Sequence, residues 1–153
     1  MFPTNTLTSS ASTISALSDI TVKDISNTPL YDWTKKSFTL YNGAPQMISK
    51  LEAIRQWIIV FLRTPKGVYE IYGNYSFGTS VRKLFGRKRL NNGYEESELE
   101  REIREGLPLC PAIKRVTSFN LSKDGGDLII DLAVELYDGT LITVEEENVY
   151  TIR

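Results

Sequence analysis

The sequence predicts an α+β fold: two main helices packed on a C-terminal antiparallel β-meander, with a small N-terminal hairpin and a flexible N-terminal arm. Three observations predict it. Apolar residues recur at three- and four-residue steps from Leu51 to Leu62, the spacing of one helical face. A glutamate-rich stretch with a thin apolar stripe follows, at residues 93–106. After it come three β-prone runs separated by two short glycine turns, the pattern of consecutive antiparallel strands.

The elements follow in chain order. Residues 1–30 are rich in Ser and Thr and poor in large apolar groups, so they bury too little surface to offset their ordering entropy. They read as an arm with Phe2, Ile14, Leu17, Ile20 and Leu30 as scattered anchors, and residues 31–153 as a single domain. In SFTLYNGAPQMI the Asn42-Gly43 pair suits the positive φ angles of a type I′ turn, which predicts a hairpin. Pro45 lacks an N–H for the ladder, so its strand is an edge or very short.

SKLEAIRQWIIVFLR opens with a capping box, Ser49 and Glu52. Leu51, Ile54, Trp57, Ile58, Phe61 and Leu62 form its apolar stripe, and Pro65 and Gly67 end it. VYEIYG, residues 68–73, reads as a short β-like piece. Residues 79–85 read as one or two helical turns with Val81, Leu84 and Phe85 inward. GYEESELEREIREG is the second helix, with Leu99 and Ile103 on one face, an ion pair from Glu100 to Arg104, and Gly106 just past its end. The meander is KRVTSFNLS, DLIIDLAVEL and LITVEEENVY. Its middle strand turns Leu128, Ile130, Leu132, Val134 and Leu136 to one face, with Asp131 and Glu135 on the other. The two helices are expected to cover the apolar face, and an open three-stranded sheet leaves two edges able to pair with another chain.

Composition narrows the chemistry. The chain has 153 residues, 41% hydrophobic, with a net charge of −1, a balance that favours neither nucleic acid nor a membrane surface. Histidine is absent, which removes the usual base near neutral pH and the commonest metal ligand. No cofactor or metal site is expected. Cys110 is the one cysteine and sits in an apolar stretch, LPLCPAI, as a small core residue. The opening residues lack a basic start and a continuous apolar run, so no signal peptide is expected. The longest apolar run, Trp57 to Leu62, is far short of the roughly 20 residues of a membrane span. Asp131 and Glu135 stand four residues apart, about 13–14 Å along a strand, too far for a glycosidase pair. The run RKLFGRKRL places Arg82, Lys83, Arg87, Lys88 and Arg89 together. It suits an acidic partner or nucleic acid, but the acidic helix that follows blunts a phosphate-seeking field.

The span from Tyr31 to about Val144 resembles the XkdS-like baseplate proteins of contractile phage tails and phage-derived bacteriocins, kin of the small baseplate wedge protein of the tail-lysozyme-like family. LEAIRQWIIVFLRT, YEIYGNYSFG, VRKLFG and the glutamate-rich helix leading into CPAIKRVTSF carry the likeness, in that order. The resemblance implies a structural wedge subunit, not an enzyme, present in six copies around the tail axis and assembled in the cytoplasm of a bacterial host. It implies a larger baseplate wedge protein and the tail sheath protein as partners, with a central hub or tube-initiator protein as a further one. Its family has an arginine before the sheet. Arg115 takes that place, with no obvious carboxylate partner in the sequence. Strand addition suits such a role. The docking edge is expected on Leu141 to Tyr150, with Leu141, Thr143, Glu145 and Glu147 presented there. Trp57, Tyr69, Tyr72, Tyr75 and Phe77 are expected to pack partly on a neighbour, and Arg82, Lys83 and Arg87 to meet an acidic one. Two other readings stand beside this one: a tail-associated cell-wall hydrolase, and a nucleic-acid-binding module.

Overall fold

The computed structural model describes residues 27–72, 76–84, 93–124 and 127–147, with Glu146 and Glu147 described by backbone alone. The predicted arm up to residue 26 lies outside the described residues. The chain divides into two compact units, one ending at Ala53 and one beginning at Ile54.

In the first unit the Asn-Gly hairpin forms as predicted. β3 (Leu40–Tyr41) and β4 (Ala44–Pro45) pair antiparallel, with φ of 51° at Asn42 and 80° at Gly43. Pro45 lies in a strand of two residues. A second hairpin, β1 (Tyr31–Asp32) with β2 (Ser37–Phe38), precedes it. The Asp32 carboxylate accepts the N–H groups of Thr34 and Lys35 at 2.9 and 3.0 Å, the local bonding that starts such turns. Thr28 to Leu30 joins this unit, since the Leu30 N–H donates to Gln46 and the Ile48 N–H to Thr28.

Helix α1 runs Lys50–Arg63. Its capping box is present: the Ser49 N–H donates to Glu52 Oε2 at 3.0 Å and the Glu52 N–H to Ser49 Oγ at 3.4 Å. In the second unit Ile54, Ile58, Phe61 and Leu62 are fully buried. Leu51, on the same predicted stripe, is 43% exposed and Trp57 half-buried. Apolar spacing identifies the inward face, while the depth of burial along it depends on what packs there.

Past α1 the chain folds back on itself. The Thr79 N–H donates to Thr64 O at 2.9 Å and the Lys66 N–H to Thr79 O at 3.1 Å, while the buried Thr79 hydroxyl donates to Leu62 O. Gly78 sits at φ 98° beside Thr64 O, where a Cβ would stand 2.5 Å from that oxygen. The described part of the VYEIYG segment, residues 68–72, is not β. It contains a 3₁₀ turn, Glu70–Tyr72, because a strand needs a ladder partner and none of the described strands lies beside it; Gly73 lies outside the described residues. Val81–Leu84 is also 3₁₀, with Val81 and Leu84 buried as predicted; Phe85 lies outside the described residues.

Helix α2 runs Gly93–Gly106, with Leu99 and Ile103 buried. Gly106 is not beyond the helix. It is its last residue, in the right-handed region at φ −86°, and its reason is contact: a Cβ there would overlap the Phe61 ring. A short 3₁₀ turn, Leu107–Leu109, leads to buried Cys110, whose thiol pKa is pushed up by burial.

The sheet has the order β5-β6-β7, all antiparallel: β5 Ile113–Asp124, β6 Asp127–Leu136 and β7 Leu141–Glu147. β6 alternates as predicted, Leu128 to Leu136 buried at every second residue. β5 does not alternate simply. Register shifts at Ile113/Arg115 and Val116/Ser118 each insert a residue, so its buried positions fall at Ile113, Val116 and Leu121. Helix α2 lies against β5, where Arg104 Nη1 donates to Val116 O at 2.8 Å. Arg55 and Ile59 of α1 and Thr143 to Glu145 of β7 line a common groove.

Candidate functional site

The backbone at the rim of β7 follows from the register. At the β6–β7 turn the Leu136 N–H donates to Thr140 O, and the Gly139 N–H to Leu136 O, with φ 85° at Gly139. Leu136 and Thr140 are therefore a hydrogen-bonded pair, and pairing alternates from there along an antiparallel ladder. Ile142 and Val144 bond to β6 through their register partners Val134 and Leu132. Leu141, Thr143 and Glu145 turn their N–H and C=O groups outward. Among the described strands none lies on that side of β7. The side chains alternate in step: Ile142 and Val144 are buried, Leu141, Thr143 and Glu145 exposed.

Beside this rim runs a groove of about 310 Å³, lined by Arg55 and Ile59 of α1 and by Thr143, Val144 and Glu145. On the outer face of the sheet Asp131 stands directly opposite Glu145, a non-hydrogen-bonded pair whose side chains approach most closely. Asp131 accepts one bond from Asn120 Nδ2 at 3.4 Å. Among the described residues neither Arg55, Asp131 nor Glu145 has an ion pair.

The other predicted residues fall into separate places. Trp57, Phe61, Phe77 and Tyr72 form one aromatic cluster: Trp57 stacks on Phe61 at 5.7 Å, and Phe77 meets Phe61, Trp57 and Tyr72 at 5.3, 5.6 and 4.6 Å. Tyr69 is 53% exposed and Ile71 80% exposed. Arg82 and Lys83 are exposed. Tyr75 and Arg87 lie outside the described residues, as does the Glu147 side chain.

Arg115 has the carboxylate partner that was not obvious from the sequence. Its register partner is Glu135, and its Nε donates to Glu135 Oε2 while Lys114 Nζ holds Oε1 at 2.9 Å. Lys114 first, then Arg115, holds the Glu135 carboxyl below its ordinary pKa. Sequence reasoning also missed Glu102. It sits on a helix read as solvated, but its side chain is only 12% exposed. It accepts the Ser80 N–H and hydroxyl, both at 2.9 Å, and lies 3.5 Å from Lys66 Nζ. The rest of that helix matches expectation: Glu100 pairs with Arg104, and Arg101 with Glu98 and Glu105. No group of His, Cys, Asp or Glu suited to a metal ion occurs among the described residues. None of the described helices is long and apolar enough to cross a membrane.

Fold and rim together define the class: a small α+β domain built on a braced meander with an open strand edge. The fold matches that of a Geobacter sulfurreducens protein described as a tail lysozyme, with a TM-score of 0.54 over 68% of this chain and 94% of that one; at 23% identity the likeness establishes the fold. Residues 27–139 match the contractile injection system sheath initiator family, and the chain belongs to it. The phage-like element PBSX protein XkdS of Bacillus subtilis strain 168 is 31% identical over 96 residues, 63% of this chain and 67% of the relative. The resemblance carried by the LEAIRQWIIVFLRT and YEIYGNYSFG motifs is thus borne out. The protein is a structural component of a contractile tail.

Proposed function

We propose that the protein is a non-enzymatic baseplate wedge subunit that links a larger wedge protein to the first ring of sheath subunits by strand addition at β7. The observation that carries this reading is the row of outward backbone groups at Leu141, Thr143 and Glu145. A strand from a sheath subunit supplies the missing ladder, and alternate side chains select it. The exposed Tyr69 and Ile71, next to the aromatic cluster, offer a second surface of amphipathic and apolar groups for the larger wedge protein. Arg82 and Lys83 stand ready for an acidic partner. Six copies around the tail axis, in the baseplate of a phage or a phage-tail-like bacteriocin, follow from the same reading. The cell-wall hydrolase alternative gains nothing from the carboxylates at hand, since Glu135 is tied to Lys114 and Arg115.

Amide hydrogen exchange tests the proposal. In the isolated protein the Thr143 and Glu145 amides exchange fast while Ile142 and Val144 are protected. Adding sheath subunit protects Thr143 and Glu145 as well. Sheath binding with no change at those two amides would refute docking at this edge.

A further inference from the structure

The rim of β7 is not chemically neutral, and its charges are arranged on two sides. Arg55 flanks the groove on the helix side, where Ile59 and Val144 supply an apolar wall. Asp131 and Glu145 face each other on the opposite side of the sheet. Like charges directly opposite on neighbouring strands repel, and among the described residues no cation answers them; nor does any carboxylate answer Arg55. Arg55 and Glu145 do not pair with each other, so each is left for a third party.

From this we infer a recognition code for the docked strand, which rests on strand addition at β7 as proposed above. A strand laid against Leu141, Thr143 and Glu145 sends alternate side chains to opposite faces. Those on the helix side enter the groove, where the docked strand carries an apolar residue against Ile59 and Val144 and a carboxylate toward Arg55. Those on the outer side meet Asp131 and Glu145, where it carries a lysine or arginine. Groups on opposite faces of one strand stand an odd number of positions apart in the sequence. The occupant is therefore an extended segment of a sheath subunit with an acid and a base at odd spacing and an apolar residue on the acid's face. Arg55 and the Asp131–Glu145 pair discriminate among candidate strands, and the backbone supplies the bonds common to all of them.

The test uses the full chain and the tail sheath subunit of the same particle, with affinity measured by biolayer interferometry. Arg55→Glu and Glu145→Lys each weaken binding about tenfold, because attraction becomes like-charge juxtaposition. A sheath subunit whose docking strand has its acid and base exchanged restores binding to the Arg55→Glu, Glu145→Lys double variant. Thr143→Pro serves as the separate arm. It removes an outward N–H that β6 does not use, so melting near the wild-type temperature is expected, and binding is lost. If Thr143→Pro bound like wild type, docking at this edge would itself be wrong. If Thr143→Pro abolished binding while both charge reversals left it unchanged, strand addition would stand and the charge code would fall. Should Thr143→Pro not fold, protection of the Thr143 and Glu145 amides on sheath binding decides the same question.

Discussion

Gly106→Ala sets two opposed effects against each other, and the structure says which wins. Alanine in place of glycine within a helix is favoured by about 0.8–1 kcal/mol. At Gly106 the new methyl would overlap the Phe61 ring. That ring has little room to yield: it is fully buried, with Trp57 and Phe77 rings 5.7 and 5.3 Å away. Overpacking of this kind costs about 1–3 kcal/mol, and the depth of the overlap places it in the upper part of that range. The net expectation is a loss of about 1–2 kcal/mol. The assay is urea unfolding followed by tryptophan fluorescence, with an unchanged m-value as the control. A double-mutant cycle isolates the contact. Phe61→Leu alone destabilises by shrinking a buried side chain, but in that background Gly106→Ala becomes neutral or stabilising. Should Gly106→Ala be as stable as wild type with Phe61 in place, the close approach of α1 to α2 would be refuted as the reason for glycine.

Two further outcomes are expected. Glu102→Ala strips acceptors from the Ser80 N–H and hydroxyl and leaves Lys66 without its carboxylate, costing about 1–3 kcal/mol in the same unfolding assay; Glu98→Ala, on the exposed face, costs far less. The Glu135 carboxyl has its pKa lowered by Lys114 and Arg115, so its contribution is complete above the ordinary glutamate pKa and is lost as pH falls through the lower folded-state value. Glu135→Gln therefore flattens part of the fall in stability as pH drops below the ordinary glutamate pKa; an acid limb identical to wild type would show that the two cations do not act on it.

Legibility from the sequence tracked the range of the interaction. The Ser49–Glu52 capping box, the Asn42-Gly43 turn and the alternation of β6 were all readable, because each is written in residues within a few positions of one another. The exposed edge of β7 was readable in part. Leu141, Thr143 and Glu145 were expected on it, and they alternate with buried Ile142 and Val144. Arg55 was not, since it is 90 residues from Glu145 along the chain and only the packing of α1 beside β7 puts them on one groove.

The amino-acid order by itself determined the two helices and the three-stranded meander, and the inward face of the helices and of β6. Periodicities of 3.6 and 2 and the conformational limits of Gly, Pro and Asn act locally and need no partner to be expressed. Tertiary structure alone decided that Glu70–Tyr72 is a 3₁₀ turn, that β5 carries two bulges, that Gly106 exists to admit Phe61, and that Glu102 and Glu135 bind Ser80 and Arg115. Each of these depends on atoms distant in sequence being brought within a few ångströms, and burial and hydrogen bonding at that range respond to position in space rather than to position along the chain.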